Sequence, residues 1–143
     1  MCTFALVMNN TRFATAIHIL TLLAKNPNEF LNSEWIAGSI NVNPVMVRKE
    51  IGALKKVGLV QSKNGKDGGC RLTKNETDIK LSEIYEAVTT TEILGRKNKN
   101  PNPHCPVGKK INSNLTQLES ETAEQIIQFL GNKNLSDFAR QFS

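Results

Sequence analysis

Apolar residues recur with a helical period near the start of the chain. Phe13, Ile17, Leu20 and Ala24 fall at i, i+4, i+7 and i+11, which predicts a one-sided helix over about residues 10–25. Asn26-Pro27-Asn28 ends it. Ser33 reads as the N-cap of a short helix over 34–39 that carries Trp35, Ile36 and Ala37. The segment 40–44 has turn chemistry. Asn41 tolerates a left-handed backbone, Val42 turns back to the core, Asn43 caps, and Pro44 suits a first helical position because its missing N–H is no loss there. The next helix, Pro44 to Val57, sorts into two faces. Val47, Ile51 and Leu54 point inward, while Val45, Arg48, Lys49, Gly52, Lys55 and Lys56 share the other side.

The period then changes. Strands near 58–62 and 70–73 flank a run with Gly65, Gly68 and Gly69, whose freedom at positive φ suits a hairpin tip. Two helices joined by a tight turn and followed by a glycine-rich hairpin predict a winged helix-turn-helix, a mainly α fold with a small β wing. Its usual work is to hold a helix in the major groove of DNA. Leu81, Ile84, Tyr85 and Val88 mark a helix near 81–90. Gly95 to Cys105 reads as a polar, mobile loop. From Pro106 to about Leu130 runs the longest helical pattern. Ile111, Leu115, Leu118, Thr122, Ile126 and Phe129 form its stripe, and a second copy of the chain is the simplest cover for so long a helix. Leu135, Phe138 and Phe142 suggest a short final helix packed back on the body. The predicted organisation is a winged domain over 8–90, a flexible loop over 91–105, and a dimerisation helix with a short C-terminal helix over 106–143. Residues 1–7 read as an extension ahead of a natural start at Met8.

Charge sharpens this picture. The chain has 143 residues and a net charge of +5. Residues 44–80 hold nine Lys/Arg against four acids, and residues 96–110 hold five more cations with no acid. Residues 81–95 and 111–143 are net acidic. Such polarity is the footprint of a face that binds a polyanion, although an ordinary solvated basic surface would look the same by charge alone. The candidate contacts are Asn43, Val45, Arg48, Lys49, Lys55 and Lys56 on the second helix of the motif, and Ser62, Lys63, Asn64, Lys66 and Gly68 on the wing. Three widely spaced cysteines (Cys2, Cys70, Cys105) argue for a reducing cytoplasm rather than a disulfide framework. No apolar run approaches the ~20 residues of a membrane span, and no secretory signal pattern is present. No Cys-x-x-Cys, oriented Cys/His pair or nucleotide loop supports an enzyme. His18 reads as a structural residue, Cys70 as a small strand residue, and Trp35 and Tyr85 as packing residues.

Taken together, Ala14-Thr15-Ala16-Ile17-His18-Ile19-Leu20, Glu34-Trp35-Ile36-Ala37, Val42-Asn43-Pro44, Leu54-Lys55-Lys56-Val57-Gly58-Leu59-Val60, the wing from Ser62 to Leu72, and Ile79 to Val88 resemble the Rrf2-type bacterial transcription regulators. The segment Asn100 to Ile111 looks like a single-cysteine branch of that family found in Gram-positive bacteria. The resemblance implies a homodimer whose long helices cross and whose two winged domains read a palindromic duplex, more as a repressor than an activator. It implies contacts from Asn43, Val45, Arg48 and Lys49 and from Ser62 to Gly68. Two positions depart from the pattern. Asn64 stands where many relatives carry an arginine that enters the minor groove, and Cys70 stands where they carry an aromatic. Some relatives hold an iron–sulfur cluster through three cysteines before the long helix. This chain has Cys105 alone there, so no cluster is expected in one subunit, with mixed ligation through His104 a residual alternative.

Cys105 has a reading of its own. It precedes Pro106 at the start of the long helix, where aligned N–H dipoles favour a thiolate, and Lys109 and Lys110 follow one turn on. It is therefore a candidate redox sensor, with an inert residue packed under the loop as the alternative. A second class of function also fits the sequence, in which the winged domain senses metabolism by binding an enzyme partner.

Overall fold

The computed structural model describes residues 11–89 and 92–142. The predicted start at Met8 and the extension over 1–7 lie outside the described residues. The elements are α1 (Arg12–Lys25), α2 (Ser33–Ile40), α3 (Pro44–Lys56), β1 (Val60–Lys63), β2 (Gly69–Leu72), a 3-10 turn (Glu76–Asp78), α4 (Leu81–Val88), α5 (Pro106–Gly131) and α6 (Leu135–Ala139). Residue identities thus predict every helix to within a turn.

Small corrections have local causes. The cap of α2 is Asn32, not Ser33: its side-chain oxygen accepts the Trp35 N–H at 2.7 Å, which leaves Ser33 as the first helical residue. The strands begin and end closer to the tip than the predicted 58–62 and 70–73, because Gly58 takes a positive φ of 81° and Val60 opens the ladder instead. Helix α4 stops at Val88 rather than 90. Phe142 lies beyond α6 and packs against Phe138 in a tilted contact with ring centroids 5.3 Å apart.

One apolar core joins α1–α4, the hairpin and α6. Ile19, Leu20, Leu23, Ile36, Val47, Leu54, Leu59, Ile79, Ile84 and Leu135 are all fully buried within it. Leu135 shows that α6 belongs to this core, as expected for a segment folded back on the body. Two backbone bonds fasten it: Leu135 N–H donates to Ile79 O at 2.8 Å and Leu81 N–H donates to Lys133 O at 3.0 Å. His18 is half-buried and lies 3.0 Å from Ser39 Oγ, which ties α1 to α2 in the structural role expected of it.

Helix α5 is different. Among its described residues only Glu119 is fully buried, while Leu118 and Phe129 are 51% and 62% exposed. Glu119 also corrects the expectation of a free loop. Its carboxylate accepts the Leu94 N–H at 3.0 Å and lies 3.6 Å from Lys97 Nζ, and Asn112 donates to Asn98 O at 2.8 Å. A loop without regular structure satisfies its backbone where it can, and here a buried acid on the long helix collects it.

Candidate nucleic-acid interface

The turn between α2 and α3 sets the site. Asn41 has φ 64° and ψ 50°, the left-handed conformation that its sequence position called for. Asn43 then accepts the Val45 N–H at 2.9 Å, and Pro44 opens α3. Val47 and Leu54 are fully buried, so the helix is rooted on that side, and Ile51 is half-buried beside them.

The opposite side is open. Val45 is 61% exposed, and Arg48, Lys49, Lys55 and Lys56 are exposed with it. Among the described residues, Lys49, Lys55 and Lys56 meet no carboxylate within salt-bridge distance. Arg48 does: its Nη1 lies 3.2 Å from Ser33 Oγ and 3.4 Å from Glu34 Oε1. Both partners of that ion pair are more than half exposed, so it is worth at most about 1 kcal/mol and a phosphate or base edge can displace it. A second, unforeseen anchor holds α3. Glu50 is buried, and the Arg12 guanidinium clasps it with Nη2 to Oε1 at 2.9 Å and Nε to both oxygens at 3.1 Å. This hydrogen-bonded carboxylate raises the pKa of Arg12, chiefly through the side-chain bond and secondarily through charge.

The wing runs antiparallel with Gln61 opposite Arg71, Ser62 opposite Cys70 and Lys63 opposite Gly69. Ser62, Lys63, Asn64 and Lys66 are exposed, as their proposed role requires. Gly68 is turned inward. A Cβ there would collide with the Lys63 carbonyl oxygen, and its N–H donates to Gly65 O at 3.0 Å, so its place is to close the turn. Cys70 is fully buried, and burial pushes its thiol up to about 11. It fills core space and has little thiolate character. Behind the wing, Leu31 pairs with Cys70 through two backbone bonds of 2.9 Å, adding a short third rung to the hairpin. Sequence reasoning missed Arg71 and Phe30. The Arg71 guanidinium lies 4.5 Å from the Phe30 ring centroid, and Lys63 Nζ lies 5.6 Å from the same ring. Arg71 was legible by alternation from buried Cys70. Phe30 sits in an aperiodic connection and left no pattern to read.

Cys105 occupies the N-cap position of α5 and is partly exposed. Amide groups of Gly108 and Val107 direct their N–H dipoles at the sulfur and hold the thiol below its ordinary value, although none closes a full capping bond.

Comparisons with known proteins agree with this geometry. The Rrf2 family model, described as an iron-dependent transcriptional regulator, matches residues 9–141. YwnA of Bacillus subtilis, named as a putative HTH-type transcriptional regulator, is 43% identical over 130 residues, covering 91% of this chain and 96% of that protein. The HTH-type transcriptional regulator NsrR of Bacillus licheniformis is 36% identical over 123 residues, covering 78% of this chain and 86% of that protein. A solved structure described as a putative DNA binding protein superposes with a TM-score of 0.70 at 39% identity, over 89% of this chain and 97% of that one. The B. subtilis global cysteine regulator CymR shares the fold, with a TM-score of 0.66 at 18% identity over 94% and 97% of the two chains. The chain belongs to the Rrf2 family of winged helix-turn-helix, DNA-binding transcription regulators.

Proposed function

We propose that the protein acts as a homodimer on a palindromic duplex, placing α3 of each copy in a major groove and the wing beside it, and represses by occupying that site. The observation that carries this reading is the outer face of α3. Four exposed cations stand opposite Val47 and Leu54, which root the helix in the core. The dimer reading is supported by α5, whose stripe of Ile111, Leu115, Leu118, Ile126 and Phe129 is half-buried or exposed in the single chain. Apolar surface of that extent along one helix favours a second copy.

The test is a DNA titration. Duplexes selected from a random pool are titrated over a range of salt, with palindromic and half-site versions compared. Lys55→Ala and Lys56→Ala are each expected to weaken all duplexes alike and to flatten the slope of log K against log salt by about one unit. Arg48→Ala is expected to lose preference for the selected site, because arginine can pair bidentately with guanine. Equal loss on random and selected duplex would assign Arg48 to phosphate only. Absence of salt-dependent binding would overturn the reading and favour the enzyme-partner alternative. Equal affinity for half-site and palindrome would overturn the dimer.

Regulation in this proposal runs through Cys105 and through no resident cluster. The donor set supports that choice. Cys70 is enclosed in the wing, and Cys105 is the one thiol of the loop. The lowered pKa of Cys105 favours the thiolate, the reactive form in oxidation and alkylation. Iodoacetamide is expected to label Cys105 at neutral pH and to spare Cys70 until the protein unfolds. Cys105→Ser is expected to abolish any effect of peroxide on DNA affinity, and an undiminished peroxide effect in that variant would end the sensor role.

A further inference from the structure

Lys49, Lys55 and Lys56 of α3 meet no side-chain partner among the described residues, whereas two cations of the wing lie against an aromatic ring. Lys63 and Arg71 project from the same face of the hairpin, since Lys63 faces Gly69 and Arg71 faces Gln61 across the ladder. Both lie over the ring of Phe30, at 5.6 and 4.5 Å from its centroid. We propose that Phe30 is a positioning residue for DNA recognition, an uncharged holder that fixes Lys63 and Arg71 toward the phosphates beside the groove. This rests on the DNA-binding function proposed above and names how the wing performs it.

The physical case begins with charge. A carboxylate that positions a cation also neutralises it, and its field competes with a phosphate. An aromatic face attracts the cation through its quadrupole and carries no net charge. The N–H edges of the cation then remain available. Neither Lys63 nor Arg71 forms a salt bridge among the described residues, so each keeps its full charge for a polyanion. Long flexible side chains lose rotamer freedom when they bind, and a ring that restricts them beforehand reduces that loss.

The ring itself is held by the backbone. Phe30 precedes Leu31, whose N–H and carbonyl both bond to Cys70 at 2.9 Å. This approach is possible because residue 69 is glycine: a Cβ there would collide with the Leu31 carbonyl group. Cys70 is in turn buried in the core. A chain of fixed contacts therefore runs from the core through Cys70 and Leu31 to the ring and its two cations. Asn64 at the tip has no charge to offer, and Lys63 and Arg71 supply the wing's cationic contact instead.

The test compares Phe30→Leu, Phe30→Tyr, Lys63→Ala and the double variant Phe30→Leu/Lys63→Ala by DNA titration over a range of salt, with thermal unfolding alongside. Leucine keeps apolar bulk and removes the ring. Phe30→Leu is expected to lose about five- to tenfold in affinity with a small change in Tm, and Phe30→Tyr to retain wild-type binding. Lys63→Ala is expected to cost less in the Phe30→Leu background than in the wild type, because the holder and the held act as one unit. A purely structural Phe30 would give equal Lys63→Ala costs in both backgrounds, and that result overturns the inference. So does Phe30→Leu binding as tightly as wild type or more tightly. Failure of wild-type protein to bind duplex at all is a distinct outcome and removes the underlying function as well.

Discussion

Arg12→Ala is expected to destabilise the protein by about 3–5 kcal/mol, the cost of leaving a buried carboxylate without its cation. The Glu50 side chain is only 5% exposed, and the guanidinium supplies its charge partner and three of its hydrogen bonds. The pair joins α1 to α3 at its midpoint, between the buried Val47 and Leu54. Loss of Arg12 therefore threatens both stability and the seating of α3. Urea unfolding measures the first, and DNA titration at a temperature where the variant remains folded measures the second. The double variant Arg12→Leu/Glu50→Leu separates charge from shape. Removing both charges leaves no unpaired group, so it is expected to recover most of the loss. A double variant as unstable as Arg12→Ala would show that packing by the arginine stem, rather than the orphaned acid, dominates.

Gly69→Ala is the second large effect, at about 2–4 kcal/mol. Two costs combine. Residue 69 has φ 149°, a conformation that L side chains rarely adopt, and the new methyl would lie inside the Leu31 carbonyl group. Gly65→Ala is the control. Its φ of 103° is also positive, but a Cβ there meets open space, so only backbone strain of about 1–2 kcal/mol is expected. Gly69→Ala should in addition weaken DNA binding, because the Leu31–Cys70 pairing that carries Phe30 must open. Chemical denaturation of the two variants checks the ranking, and equal losses would mean that the close approach of Leu31 contributes little.

Several features were legible before any coordinates. A strict apolar period identified α1, α3 and α5, and a change of period marked the wing. Asn41 and Pro44 located the turn because few residue types suit those backbone positions, and both occupy the predicted conformation. The cationic outer face of α3 was equally plain, since helical geometry alone places Arg48, Lys49, Lys55 and Lys56 away from Val47 and Leu54. Other features were not. The Asn32 cap and the Ser33 assignment compete one residue apart, and only the observed bond to Trp35 separates them. The loop over 92–105 carries no periodic signal, so its attachment to Glu119 was invisible.

What the chain's own order of residues determined is which side of each helix is greasy, where the backbone must turn, and where positive charge collects. These follow from local geometry, because 3.6-residue and two-residue periods map sequence directly onto faces. What only the tertiary structure decided is which groups find each other across the fold. Arg12 meets Glu50 38 residues away, Glu119 captures the loop amide of Leu94, and Phe30 comes to lie beneath Lys63 and Arg71. Such encounters depend on how separate elements pack, and packing between distant segments leaves no period along the chain.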